Sequence, residues 1–115
     1  MSDPKKLLVV TSVTSEDIAI QLAQELLENY VAACINIIPK VRSIYRWRGN
    51  ITDDHESVCI IKTREDKFDE VKQIIEVVSG YDIPEVLAFE IKDGAEQFLT
   101  WVDANLTVPD EAEIN

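Results

Sequence analysis

The stretch VAACINIIPKVRSIYRWRGNITDDHESVCIIKT, residues 31–63, decides the fold. Val31 to Ile38 is an apolar, β-branched run and reads as a strand. Pro39 has no N–H to give to a sheet ladder, so it marks a bulge or an edge. Strand character resumes through Val41, Ile44, Tyr45 and Trp47. Arg48-Gly49-Asn50 reads as a turn, and Ser57 to Lys62 returns as a strand. The arms can therefore run from about Val31 to Thr63 around one turn. At about 3.3 Å per residue they reach ~50 Å, more than a compact domain of this size needs. The outer half carries Ile44, Tyr45, Trp47 and Ile51, with no helix in the pattern to cover it. Such a surface aggregates if left in water, and packing on another copy removes the hazard. The hairpin thus predicts a homo-oligomer.

On the N-terminal side, Leu7 to Val13 is a short buried strand. Thr14-Ser15-Glu16-Asp17 has a Thr-x-x-Asp capping pattern, and Ile18, Leu22, Leu26 and Tyr30 form one helix face from about Glu16 to Asn29. On the C-terminal side, Thr63-Arg64-Glu65-Asp66 repeats the pattern before a second helix, with Phe68, Val71, Ile75 and Val78 as its buried stripe. Gly80 sits where that helix needs a left-handed stop. Val86 to Ile91 is the last strand. Gly94 precedes a third helix, with Phe98, Val102 and Leu106 on one face. The order βαββαβ plus a C-terminal helix predicts an α+β, ferredoxin-like split βαβ sandwich. Residues 1–115 form one domain by length, with an ordered core over 7–106 and an acidic C-terminal tail over 107–115, where Asp110-Glu111-Ala112-Glu113 reads as frayed.

A net charge of −11, from 22 acidic and 11 basic residues, argues against nucleic acid and against an anionic membrane surface as partners. No apolar run is long enough to span a bilayer. Lys5-Lys6 followed by Leu7-Leu8-Val9-Val10 imitates a signal peptide, but Thr11-Ser12 interrupts it, so a cytoplasmic protein is expected.

The chemical candidates are few. If Arg48 faces Ile51, paired residue numbers sum to about 99. Cys34 then lies opposite the region of Glu65 and Cys59 opposite that of Lys40, roughly 20 Å apart along the ladder. That excludes a disulfide or a shared metal site within one chain. His55 is the only histidine and stands among charged residues, so no Ser-His-Asp or Cys-His arrangement can be assembled from near neighbours. Three scattered glycines cannot make a phosphate loop. No metal site and no cofactor are expected. Glu56 and Glu85 could do acid–base work if brought together, but such residues are more often surface charges or partners of lysines, with Lys62 and Arg64 available here. Tyr45, Trp47, Tyr81 and Trp101 suit a subunit boundary or a ligand cage, having apolar bodies and polar tips.

Taken together, Ala32-Ala33-Cys34-Ile35-Asn36, Ser43-Ile44-Tyr45 with Trp47 and Gly49, Glu56, Ile61-Lys62-Thr63, Tyr81 with Pro84-Glu85, and Phe98-Leu99 with Trp101 resemble the CutA family of divalent-cation tolerance proteins. The likeness runs from about Leu7 to Leu106. It implies a ferredoxin-like homotrimer with hairpins crossing between subunits, no established catalysis, and a link to copper and other divalent ions. It also implies a ligand-binding cleft between subunits lined by Trp47, Glu56, Lys62, Tyr81 and Glu85, binding a small ligand or contacting divalent cations weakly. The family pattern commonly reads His-Pro-Tyr-x-x-Pro-Glu where this chain has Ser79-Gly80-Tyr81-Asp82-Ile83-Pro84-Glu85. The imidazole positions are Val78 and Ser79, and Thr11 replaces a cysteine found in some members. Copper favours sulfur and imidazole, so that association should not carry over through these residues. Two alternatives stay open. One is a PII-like signalling regulator that binds a nucleotide or metabolite, and lacks a phosphate cradle here. The other is an acylphosphatase-like hydrolase, whose Arg-containing loop after the first strand is here the acidic Ser12–Asp17.

Overall fold

The computed structural model describes residues 3–109, so the acidic stretch Asp110–Glu113 lies outside the described residues. The chain runs β1 (Lys6–Val13), α1 (Glu16–Glu28), β2 (Cys34–Trp47), β3 (Asn50–Arg64), α2 (Phe68–Val78), β4 (Leu87–Glu90) and α3 (Glu96–Ala104). The strands make one antiparallel sheet in the order β2-β3-β1-β4. This is the expected split βαβ arrangement with a further helix.

β2 and β3 are the long arms. They stretch the molecule to 52 Å in its longest dimension and its radius of gyration to 15.5 Å, against about 13 Å for a compact chain of this length. The tip is tighter than a three-residue turn. Trp47 pairs with Asn50, leaving Arg48 and Gly49 as the whole loop, at φ 50° and 83°. Two consecutive left-handed residues give the type I′ turn whose twist matches the flanking strands.

This tip corrects the expected register, because Arg48 sits in the loop instead of facing Ile51. A bulge then moves the pairing by one more residue. Ile38 pairs with Val58 and Val41 with Glu56, so Pro39 and Lys40 together oppose Ser57 alone. Lys40 takes the left-handed conformation at φ 58°. Cys34 therefore pairs with Lys62 and Cys59 with Ile37. The two thiols are about 10 Å apart along the ladder, half the expected separation. They lie on opposite faces of the sheet, so both remain free.

One sheet face is buried under α1 and α2. Val9 and Val13 of β1, Cys59 and Ile61 of β3, Ala19, Leu22 and Leu26 of α1, and Val71 and Ile75 of α2 form the core. Burial pushes the Cys59 thiol up to about 11.

Both expected helix caps shift. Ser15, not Thr14, caps α1, its Oγ accepting from the Ile18 N–H at 3.2 Å. Thr63 does not cap α2. It belongs to β3, is fully buried, and donates to the Val31 carbonyl at 2.5 Å. A 3₁₀ turn over Glu65–Lys67 leads into the helix instead. Gly80 follows α2 at φ 77°, as its stop position requires.

The opposite sheet face is mostly open. α3 crosses one end of it, where Asp103 pairs with Lys6 at 3.0 Å and Arg64 at 3.1 Å. Burial alone would raise the Asp103 carboxyl, but these two cations hold it below its ordinary value. Val102 and Leu106 share a buried face as expected and pack with Ala33, while Phe98 remains 43% exposed and stacks on Trp101. Beyond α3 the face presents Leu8, Val10, Ile38, Val58 and Ile60, with Leu87 and Phe89 exposed on the edge strand.

Candidate functional site

A cleft of about 660 Å³ opens between the outer hairpin and the segment after α2. Pairing partners share a sheet face, so Tyr45 and Trp47 of β2 and Glu56 of β3 point the same way. The end of α2 supplies the other wall. Gly80 turns the chain back toward the hairpin, and the buried Ser79 fixes the turn, its Oγ accepting from the Tyr81 N–H at 3.3 Å. Tyr81 then reaches across 25 residues of sequence to donate its hydroxyl to Glu56 Oε2 at 2.5 Å. Burial, then the hydrogen bond to Glu56, raises the Tyr81 phenol far above its ordinary value of 10.0. The phenol therefore stays a donor across the physiological range, and Glu56 Oε2 stays its acceptor.

Four of the five expected residues, Trp47, Glu56, Tyr81 and Glu85, line this one cleft. Lys62 does not. It shares the face of Glu56 on the same strand, but six residues along, about 20 Å away. There its ammonium donates to Asn36 Oδ1 at 2.6 Å, approaches Cys34 Sγ at 3.7 Å and lies 5.8 Å from the Phe98 ring centre. The walls expected from two subunits are here supplied by one chain. Ser12 and Asp82 are among the further lining residues and were not expected there, while Tyr45 was expected only as one of the boundary or cage aromatics. Their signal was local: Asp82 sits inside the Tyr81–Glu85 motif, and Tyr45 alternates with Trp47 on one strand face.

The cleft is acidic and aromatic. Glu56, Asp82 and Glu85 line it, together with Tyr45, Trp47 and Tyr81, and no lysine or arginine is among the lining residues. At its mouth the Arg48 guanidinium stands 5.3 Å from the Trp47 ring centre and 3.6 Å from Asp82. Tyr45 donates to Asp54 at 2.9 Å, and that bond raises its phenol too. Among the described residues no group of three or more His, Cys, Asp or Glu side chains could hold a metal ion. Thr11 is fully buried opposite Cys59, its hydroxyl unpartnered. Val78 packs on the core.

Residues 7–105 match the family described as CutA1 divalent ion tolerance protein. The chain is 36% identical over 98 residues to the divalent-cation tolerance protein CutA of Thermus thermophilus, covering 85% of this chain and 95% of that one. It is 32% identical to the chloroplastic protein CutA of Arabidopsis thaliana over 84% of its own length, but spans only 53% of that longer chain. The crystal structure of CutA1 from Oryza sativa superposes with a TM-score of 0.86 at 33% identity, over 89% of this chain and 94% of that one. The family match and the superposition each cover most of the described chain, which belongs to the CutA1 divalent ion tolerance family.

Proposed function

We propose that this protein serves divalent-cation tolerance as a cytoplasmic homotrimer that works by binding, not by catalysis. The observation that carries the reading is the composition of the cleft. Three carboxylates and three aromatic rings face one space, with no nucleophile held by a base. Such a wall attracts cations and orients apolar ligand surface, and it has no device for bond breaking. Oligomerisation is supported by what the single chain leaves uncovered: Ile44 at 65% and Ile51 at 72% exposure on the outer hairpin, and the apolar face beyond α3.

The donor set does not fit a tight copper site. At the positions where the family resemblance implies imidazole or thiol stand Val78, Ser79 and Thr11; Ser79 and Thr11 are buried, and Val78 packs partly buried on the core. The half-buried Cys34 thiol, outside the cleft, and carboxylate oxygens remain, and the carboxylates suit weak contacts with hard ions. A nucleotide-binding regulator is disfavoured by the same cleft, whose charged lining residues are all acidic.

The test is a solution mass measurement followed by copper and zinc titration of the same sample. We expect three times the 13.0 kDa chain mass, with weak binding of both ions that weakens further in Glu85→Gln. Tight stoichiometric copper binding would overturn the donor argument, and a monomer would overturn the assembly.

A further inference from the structure

We propose that the cleft takes an extended organic cation, a linear aliphatic polyamine. Its ammonium groups would pair with the cleft carboxylates and its methylene spacers would lie on the aromatic wall. This rests on the reading of the cleft as a binding site that stays open in the assembled protein.

Four features select that chemistry. The first is charge. All charged lining residues are acidic, in a chain of net charge −11, so anions are repelled and cations concentrated. The second is spacing. A bare divalent ion needs several oxygens converging within about 2.0–2.6 Å of one point. Glu56, Asp82 and Glu85 line one cleft without forming such a group. Separated charges match a ligand whose own charges are separated.

The third feature is the surface between them. Tyr45, Trp47, Tyr81, Ile44 and Ile83 also line the cleft. This surface is wasted on a hydrated metal ion and complementary to a hydrocarbon spacer, while the ring faces attract ammonium groups. The fourth is that the cleft mouth already holds a side-chain cation in this manner. Arg48 lies 5.3 Å from the Trp47 ring centre and 3.6 Å from Asp82. Both charged side chains are three-quarters exposed, so a ligand can displace this contact at little cost. Deeper in, Tyr81 fixes Glu56 through one carboxylate oxygen, leaving the other free to accept from a ligand ammonium.

The experiment is a calorimetric titration of the intact, assembled protein at low salt with spermidine, 1,8-diaminooctane, 1,8-octanediol, magnesium chloride and zinc chloride. In parallel, Trp101→Phe leaves Trp47 as the sole tryptophan, so its fluorescence reports the cleft. Should that variant fail to fold, calorimetry on the unmodified chain still decides.

Spermidine and the diamine are expected to saturate at one per cleft and to change Trp47 emission. The diol should bind about tenfold or more weaker. Glu56→Gln and Glu85→Gln should each lose about tenfold in spermidine affinity, as for one charge-assisted contact. Arg48→Ala, which removes the resident cation, should tighten binding. A diol that binds as well as the diamine overturns the proposal, as does the absence of heat and fluorescence change with both amines. Zinc or magnesium displacing spermidine at stoichiometric concentration also overturns it and leaves divalent-cation binding standing. Polyamine binding by a monomeric protein upholds this inference and sinks the trimer.

Discussion

The two halves of the hairpin are built from one pair of strands but held in different ways. Inside the Pro39–Lys40 bulge, Cys59, Ile61 and Thr63 of β3 are fully buried against α1, α2 and β1. Beyond it, β2 and β3 pair only with each other, and Ile44, Tyr45, Trp47 and Ile51 remain exposed. The inner half is stabilised by burial, the outer half by ladder hydrogen bonds and surface pairs. A two-stranded ribbon alone is marginal in water. The outer half therefore draws its order from what docks on it: in the single chain the Tyr81–Glu85 segment, and in the assembly, by our proposal, other subunits. The cleft lies between the outer hairpin and the chain's own Tyr81–Glu85 segment.

The sharpest way to test the contrast is to remove equal side chains from the two halves. Ile61→Ala empties a fully enclosed position and should lower unfolding free energy by about 2–5 kcal/mol. Ile51→Ala removes the same atoms from a residue 72% exposed, and should change protomer stability by no more than about 0.5 kcal/mol. Its effect should appear instead as a lower mass in solution on dilution. Denaturant unfolding at fixed protein concentration reads the first and light scattering the second. Equal stability losses would show that the outer half has a core of its own.

Next in size is Thr63→Val, nearly isosteric, which deletes the donor to the Val31 carbonyl inside the core. An orphaned buried acceptor costs about 1–3 kcal/mol. The same denaturation midpoint measures it, and no change would mean that water or another donor reaches that carbonyl.

The same residue shows what could be read from the chain and what could not. Thr63-x-x-Asp66 reads as a helix cap because a hydroxyl and a carboxylate stand three apart. A buried β-branched strand end followed by polar residues has the same spelling, and only pairing with Leu7 separates the two. The long hairpin was legible because uncovered Ile44, Tyr45, Trp47 and Ile51 are hard to explain otherwise. Its register was not. Pro39 announces a bulge without saying how many residues it absorbs, and Arg48-Gly49-Asn50 does not say that Asn50 already pairs with Trp47. Each error of one residue moves every partner, so the cysteines were placed too far apart. Tyr81 and Glu85 were legible as neighbours from their motif, and both line the cleft. Lys62 was not separable from them, because strand parity puts it on the face of Glu56 and only distance along the strand removes it from the cleft.

A gain is expected at the boundary itself. Lys40 holds φ 58°, a conformation that costs a side-chain-bearing residue about 1–2 kcal/mol, partly offset for glycine by its larger unfolded entropy. Lys40→Gly should therefore stabilise by about 0.5 kcal/mol in thermal or denaturant unfolding. A loss would mean that the Lys40 side chain itself anchors the bulge.

The smallest effect belongs to the outer half's best-formed ion pair. Arg42 meets Asp53 through two hydrogen bonds, Nε to Oδ1 at 3.0 Å and Nη2 to Oδ2 at 2.6 Å. That contact holds the Asp53 carboxyl below its ordinary value of 3.8. A carboxyl depressed in the folded state stabilises above its unfolded pKa, and the contribution disappears as pH falls through 3.8 and the folded value below it. Both side chains are solvated, however, so screening and side-chain entropy cancel most of the gain. Arg42→Ala should match the parent in thermal midpoint at physiological salt. Any difference should appear only at low salt and above about pH 4, where the pair is fully charged. A clear drop at physiological salt would mean that the outer hairpin is ordered by its own side chains. It would then be a rigid arm offered to partners, instead of a ribbon that its partners hold in shape.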